Sequence, residues 1–184
     1  DFTILSRTSA EILTMLENLD IDAGVSYLDN EPLGRVSTAF LYREHYTLVC
    51  HPDHPLAGRD HVGWADLADL KLCLLTPDMQ NRRIINKNFM DAGVAPRART
   101  ESNSTVVLVS HVAHGDWVTV LPRDMARFLT AGKALRVIPI EQEGEAHAVG
   151  LVAPYREPHT PVLRALLAEA GQVARQGPGD GDED

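Results

Sequence analysis

The sequence lacks most features that mark secreted, membrane-spanning or disulfide-stabilised proteins. Cysteine is limited to Cys50 and Cys73, each inside an apolar run and without CxxC spacing, which indicates buried, reduced thiols. No run of about 18 apolar residues occurs, so no transmembrane helix is predicted. No secretory signal is visible, and a chain that starts without methionine is predicted to be a fragment of a longer protein. We expect a cytoplasmic protein with no membrane partner.

Basic charge is also scarce. The formal net charge is −9, and no run of lysine and arginine offers a surface that could follow phosphates. The tail, residues 176–184, carries four acidic residues and no large apolar one, so it is predicted to be disordered. Any contact with DNA therefore has to come from a segment outside these residues.

Motifs for catalysis and cofactor binding are missing as well. No GxSxG, P-loop or GxGxxG sequence occurs, so acyl transfer, nucleoside triphosphate chemistry and dinucleotide binding lack their loops. His111 and His114 lie three residues apart on a predicted helix, whereas the zinc protease motif needs a spacing of four with an intervening glutamate. We predict no catalytic residue, no metal site and no cofactor.

What the sequence does contain is an alternation of strand-like and helix-like segments. Thr8 and Glu11 are spaced as a capping box, with apolar residues at helical spacing behind them. Strands that alternate with helices predict parallel βαβ units in an open α/β sheet. The predicted strands cover 3–5, 21–25, 36–41, 46–50, 72–75, 117–121, 135–138 and 148–152, and the all-apolar run 72–75 is expected to be buried on both faces. The helices lie behind Thr8, over 82–92 with Gly93 as the stop, from Asn103 or Ser104 to Gly115, over 124–129 and from Pro161 onward. A short helical turn is predicted around Trp64–Leu67.

Four segments carry a family resemblance. They are LTMLENLDIDAGV (13–25), FLYREHYTLVCHPDHPLA (40–57), FMDAGVAP (89–96) and VAHGDWVTVLP (112–122). In this order and spacing they resemble the effector-binding domain of LysR-type transcriptional regulators, over residues 2 to about 174. The DNA-reading helix-turn-helix, the linker helix and the first strand and helix of the effector domain have no counterpart in the sequence. Trp117 stands where the family usually has a small or aliphatic residue.

The resemblance implies an α/β fold of the type II periplasmic-binding-protein kind. Two Rossmann-like lobes are joined by two crossover strands. We place lobe one at residues 1–45 plus 150–175 and lobe two at 46–149. In such proteins a ligand binds in the crevice between the lobes, at the carboxyl ends of the strands, where helix N-termini favour an anion.

The candidate ligand-binding residues follow from this implied geometry. They are Thr8, Ser9, Thr76, Asp78, Met79, Gln80, Ser102, Asn103, Ser104, Trp117 and Thr119. For each serine or threonine, an ordinary helix N-cap without a ligand is the alternative. Arg82 and Arg83 could neutralise an anionic ligand, but a surface position for them is favoured.

The predicted function is that of an allosteric sensor without enzyme activity. A small effector, for which a small carboxylate is our expectation, would bind between the lobes and control DNA binding by an absent N-terminal helix-turn-helix domain. We expect a homodimer or tetramer. The alternatives are the solute-binding protein of a transporter, which shares the two-lobed architecture, and a small α/β enzyme.

Overall fold

The computed structural model describes residues 1–29, 31–95, 97–141 and 146–176. These residues form two compact units, which the chain links at 44/45 and at 146/147. Unit 1 contains residues 1–44 and the described residues from 147 onward, and unit 2 contains residues 45–146. The predicted disordered tail lies outside the described residues, apart from Gln176, which ends the last helix.

Thirteen helices and strands are described. In chain order they are α1 (Ser9–Asn18), β1 (Gly24–Tyr27), β2 (Val36–Glu44), β3 (Tyr46–Cys50), β4 (Lys71–Leu75), α2 (Gln80–Asp91), β5 (Thr100–Ser102), α3 (Thr105–Val112), β6 (Trp117–Pro122), α4 (Arg123–Thr130), β7 (Arg136–Pro139), β8 (His147–Pro154) and α5 (Pro161–Gln176). A 3-10 turn at Trp64–Leu67 lies where the sequence predicted one.

Unit 1 is built on a three-stranded antiparallel sheet in the order β1-β8-β2. The long β2–β8 ladder runs from the Val36–Pro154 pair to the Glu44–His147 pair, with a bulge between Phe40 and Tyr42. Helix α1 packs on β1 and β8, and α5 packs on β2 and β8. The chain therefore leaves and re-enters unit 1 at adjacent positions of one ladder.

The start of α1 confirms the predicted capping box. The Thr8 hydroxyl accepts a hydrogen bond from the Glu11 N–H at 3.3 Å, and the Glu11 carboxylate accepts from the Thr8 N–H at 2.8 Å. The predicted strand over residues 3–5 is wrong, because this segment pairs with no strand among the described residues and Ile4 is 93% exposed. Apolar, β-branched residues form a strand only where a neighbouring strand supplies hydrogen bonds.

Unit 2 contains a five-stranded sheet in the order β5-β4-β6-β3-β7. Strand β4 pairs in parallel with β5 and β6, as the βαβ pattern predicts, but β3 pairs antiparallel with both β6 and β7. The predicted parallel units are therefore found only among β4, β5 and β6, and the pairs of the unit 1 sheet are antiparallel. A strand buried on both faces is an apolar run whatever its direction, so its sequence does not specify how it pairs.

Helices cover both faces of the unit 2 sheet. On one face Cys73, Val49 and Leu121 pack against Leu108 and other buried residues of α3 and α4. On the other face the rings of Trp64, Tyr46 and Phe89 make edge contacts, with 5.0 Å between the centroids of Trp64 and Phe89. The sheet interior is consequently closed by side chains, and polar groups collect at its edges.

Helix α2 ends as the sequence predicts. Gly93 has a φ of +72°, the left-handed conformation that glycine adopts without strain. Its N–H donates to the Met90 carbonyl at 2.9 Å and the Val94 N–H donates to the Phe89 carbonyl at 3.0 Å. This pair of bonds is a Schellman motif, which satisfies carbonyls at the helix end.

A methyl group at Gly150 tests the close packing of β8. A Cβ there would lie 2.5 Å from the Ala39 carbonyl oxygen and 2.5 Å from the Leu28 side chain. Because backbone cannot yield cheaply, Gly150→Ala should lower the free energy of unfolding by about 1–3 kcal/mol in urea denaturation. Gly58→Ala is the control, since nothing lies within 4 Å of its Cβ position. Equal stability of the two variants would contradict this packing.

Candidate ligand-binding site

Polar residues gather where the parallel strands of unit 2 end. Leu75, the last residue of β4, pairs with Ser102, the last residue of β5, and the Thr76 N–H donates to the Ser102 carbonyl at 3.2 Å. Helix α2 begins at Gln80, five residues after Leu75, and α3 begins at Thr105, three residues after Ser102. We call this part of unit 2 the carboxyl edge. It brings Thr76 and Ser102 together, as expected of parallel strands.

The segment Ser102–Asn103–Ser104 leads from β5 into the start of α3. Ser104 is the N-cap residue, as predicted, but its side chain makes no capping bond. Instead the Ser102 hydroxyl oxygen accepts from the Ser104 N–H at 3.1 Å. A hydroxyl that accepts in this way still has its own proton to donate. Asn103 is exposed beside it.

The β4–α2 loop and the first residue of α2 contribute four of the candidate residues. Met79 is the N-cap residue of α2 and makes no side-chain capping bond, and its N–H donates to the Thr76 carbonyl at 3.1 Å. The buried Thr76 hydroxyl has no hydrogen-bond partner among the described residues. Asp78 is exposed, whereas Gln80 is buried. Neither α2 nor α3 has an acidic residue in its first turn to offset the positive end of the helix dipole.

The buried Arg82 side chain links the structural elements that meet at the carboxyl edge. The favoured surface position is wrong for this residue, since Arg82 is 8% exposed. Its guanidinium donates to the Leu75 carbonyl, to the Glu101 carboxylate at 2.7 Å and to the Asn86 side chain at 2.9 Å. It therefore ties α2 to the ends of β4 and β5 and is not available to a ligand.

Arg123 and His45 also lie at the carboxyl edge, and sequence reasoning missed both. Arg123 follows the last residue of β6, and its N–H donates to the His45 carbonyl at 2.8 Å. Burial lowers the pKa of His45, the Arg123 charge lowers it further, and Asp124 acts in the opposite direction. The position of Arg123 directly after the strand-ending Leu-Pro pair was the signal that could have identified it.

Two candidate residues lie elsewhere in unit 2. Trp117 begins β6, opposite Lys71 at the start of β4, so it occupies the other end of the sheet, with its ring 4.6 Å from that of His111. Thr119 is fully buried in the middle of β6, and its hydroxyl has no hydrogen-bond partner among the described residues. We leave both residues out of the proposed site.

Thr8 and Ser9 belong to unit 1. The Thr8 hydroxyl donates to the Glu11 carboxylate at 2.9 Å and accepts from its N–H, so the structure shows the capping role that the sequence left open. Ser9 is the first residue of α1 and is half-buried.

A second polar cluster in unit 1 was not predicted. Glu44 is buried at the end of β2, and its carboxylate accepts hydrogen bonds from the hydroxyls of Tyr27 and Tyr42. Asp29 accepts from the Ala148 N–H at 2.8 Å and lies 3.0 Å from Nδ1 of His147. These bonds fix the ends of β2 and β8 where the chain passes to unit 2. No ligand role follows from them.

The comparisons with known proteins decide the family. The model of the LysR substrate binding domain matches residues 1–175. The chain belongs to this family. The sequence resemblance is thereby confirmed, and transcriptional regulators are among the relatives that match.

The relatives of this LysR substrate-binding domain are longer proteins. It is 27% identical to the uncharacterized HTH-type transcriptional regulator YfeR of Shigella flexneri over 76% of this chain and 46% of that one. It is 30% identical to the probable hydrogen peroxide-inducible genes activator of Mycobacterium avium over 77% of this chain and 45% of that one. The chain thus spans about half the length of the curated relatives that it matches.

Solved structures of the family share the fold. The effector binding domain of QuiR in complex with shikimate has a TM-score of 0.79 at 19% identity, covering 92% of this chain and 79% of that one. The BenM effector binding domain with benzoate has a TM-score of 0.73 at 18% identity, covering 90% and 74%. The predicted α/β fold of the type II periplasmic-binding kind is confirmed. No described helix is long and apolar enough to cross a membrane.

The role of Arg82 in this LysR domain is testable by substitution. Arg82→Gln removes bonds from the guanidinium to Leu75 and Glu101, and hydrogen bonds to charged groups are worth about 1.5–3 kcal/mol each. Because Glu101 is partly exposed, we expect a loss of about 1–3 kcal/mol of unfolding free energy in urea. Lys87→Gln on the same helix breaks only an exposed pair with Asp91 and should cost less than about 0.5 kcal/mol. If the two variants cost the same, Arg82 does not hold the edge together.

Proposed function

We propose that the chain is the effector sensor of a LysR-type regulator and that a small anion binds at the carboxyl edge of unit 2. The observation that carries the proposal is the convergence of Thr76, Ser102 and two helix starts without side-chain caps at neighbouring strand ends. All of these groups are hydrogen-bond donors, or can be, and a helix N-terminus attracts negative charge. The site needs no chemical step.

A carboxylate is the ligand class that we propose. Shikimate and benzoate, bound in the QuiR and BenM effector domains, are both carboxylates, which supports the same class here. A carboxylate has two acceptor oxygens and can take hydrogen bonds from several donors at once. The donors on the Ser102 hydroxyl and the first turns of α2 and α3 match this need.

The remaining steps concern the longer protein. We propose that it acts in the cytoplasm as a homodimer or tetramer and that a helix-turn-helix segment outside this chain binds DNA. Effector binding would shift the population of two arrangements of the sensor, and the assembly would pass the change to the DNA-binding segment. Such a shift requires that the effector bind one arrangement more tightly than the other.

Peroxide sensing through cysteine is a second candidate, raised by the relative from Mycobacterium avium. The described thiols do not favour it. Cys50 of β3 and Leu72 of β4 both pair with Val118 of β6, so Cys73, the next residue of β4, points to the face of the sheet opposite to Cys50. Burial raises the pKa of each thiol to about 11. Reactive cysteines need a thiolate and access to solvent.

Thiol reactivity tests this choice directly. With a pKa of about 11, each thiol is on the order of 0.1% ionised at pH 8, and both are buried. We expect the folded chain to react with Ellman's reagent at least about 100-fold more slowly than the chain in denaturing urea. A thiol of the folded chain that reacts with hydrogen peroxide within seconds would instead favour the peroxide sensor.

The proposed site is tested by a ligand screen followed by substitution. A thermal-shift screen should find an organic acid that stabilises the chain, while its uncharged amide does not, because ligand at about 100 times its Kd adds about 2.7 kcal/mol. Ser102→Ala removes a donor and should weaken that acid about 10-fold or more in calorimetric titration. Ser110→Ala, exposed on the last turn of α3, is the control and should leave affinity unchanged. Unchanged affinity in both variants would remove the carboxyl edge from the site.

A further inference from the structure

We infer that Arg123 is the cationic residue that binds the anionic group of the effector. The inference rests on the proposed function and adds a residue that determines which effectors are accepted. Donors at two helix starts attract an anion but supply only partial charges. A full positive charge at the same edge would select a carboxylate over an uncharged molecule of the same shape.

The other arginines next to the strand ends are already bound. The guanidinium of Arg82 is held by Leu75, Glu101 and Asn86. The Nη1 atom of Arg83 donates to the carbonyls of Pro77 and Asp78 in the β4–α2 loop. Both side chains therefore stabilise the chain that surrounds the carboxyl edge.

Arg123 differs from them in its contacts. Its Nε atom is buried and has no hydrogen-bond partner among the described residues. The Asp124 carboxylate lies 3.8 Å from this atom, which is an ion-pair distance too long for a hydrogen bond. The Arg123 side chain is 37% exposed, so its other nitrogens can be reached from solvent. A guanidinium that is partly desolvated attracts an anion more strongly than one fully in water.

The strand directions place Arg123 at the same edge of the sheet as the candidate donors. Leu72 of β4 pairs in parallel with Val118 of β6, and Thr76 and Pro122 each lie four residues further along their chain segments, with Arg123 next. Ser102 lies on the other side of Thr76, at the end of β5. The ends of three adjacent strands therefore carry Ser102, Thr76 and Arg123 in sequence along the edge.

The charges and polar atoms at this edge fit a carboxylate. Buried polar atoms in folded proteins nearly always have a hydrogen-bond partner, and the Thr76 hydroxyl and Arg123 Nε have none among the described residues. A planar carboxylate matches the guanidinium fork and has a second oxygen for a hydroxyl donor. The Arg123 charge is also felt by the neighbouring His45, which disfavours protonation of that imidazole.

The test observes Arg123 itself. In the ¹⁵N-labelled chain, acetate, benzoate and shikimate are titrated while the arginine Nε–H signals are recorded, and acetamide and benzamide serve as uncharged counterparts. We expect at least one of these carboxylates to shift the Arg123 signal saturably, together with backbone amides at Thr76 and Ser102. The amides should not shift it. Arg127, exposed on the same helix, is the internal control and should not respond.

Substitution separates the inference from the proposed function. Arg123→Gln should raise the dissociation constant of the responding carboxylate about 10-fold or more, and Arg123→Lys should raise it less. Arg127→Gln should change it less than about 2-fold. Urea denaturation of each variant checks folding, and Arg123→Lys serves if Arg123→Gln does not fold. Carboxylate binding at Thr76 and Ser102 that is unchanged in Arg123→Gln overturns the role of Arg123 alone. No response of any of these residues to the carboxylates overturns the proposed function as well.

Discussion

The β2–β8 ladder is the constraint on which the two-unit organisation depends. It joins strands about a hundred residues apart in sequence, and its last pair is Glu44 and His147. Tyr27 secures the first of these residues and Asp29 the second, so both chain links to unit 2 start from one place. Everything between them can fold as a continuous stretch with its own sheet. Closing so long a loop costs entropy that grows only slowly with length, and a ladder of this size can offset it.

Strand direction then decides where polar groups can gather in unit 2. Because β4, β5 and β6 run in parallel, their carboxyl ends share one edge, and the helices that follow begin there. The antiparallel β3 begins at the same edge, which explains why His45 lies against Arg123. Side chains close both faces of the sheet, and an edge is the place where unpaired N–H groups meet solvent. The candidate site is thus a consequence of topology as much as of residue type.

The sequence predicted features that depend on local chemistry and missed those that depend on partners. Capping at Thr8, the glycine stop at Gly93 and the buried run of β4 are visible in short windows, because turn chemistry and burial leave a local pattern. The strand over 3–5, the antiparallel pairing of β3 and the burial of Arg82 depend on residues far along the chain. The place of Thr76 was predictable because it follows a buried strand, and that of Ser102 because it precedes a helix, whereas Trp117 and Thr119 came from family position alone.

Arg123, which we propose as the anion-binding residue, shows why such a residue is hard to identify from a sequence. With a net charge of −9, the chain as a whole repels anions, so an anion can be held only by groups close enough to escape screening by salt, within about 10 Å. Sequence composition shows this overall repulsion but does not show where a single positive group lies close to hydrogen-bond donors. This placement arises from strand direction, which sets one arginine at the same sheet edge as two hydroxyls and two helix starts. In the proposed site, selectivity comes from short-range hydrogen bonds to the ligand. The long-range negative field of the protein repels anions and so disfavours those that bind weakly.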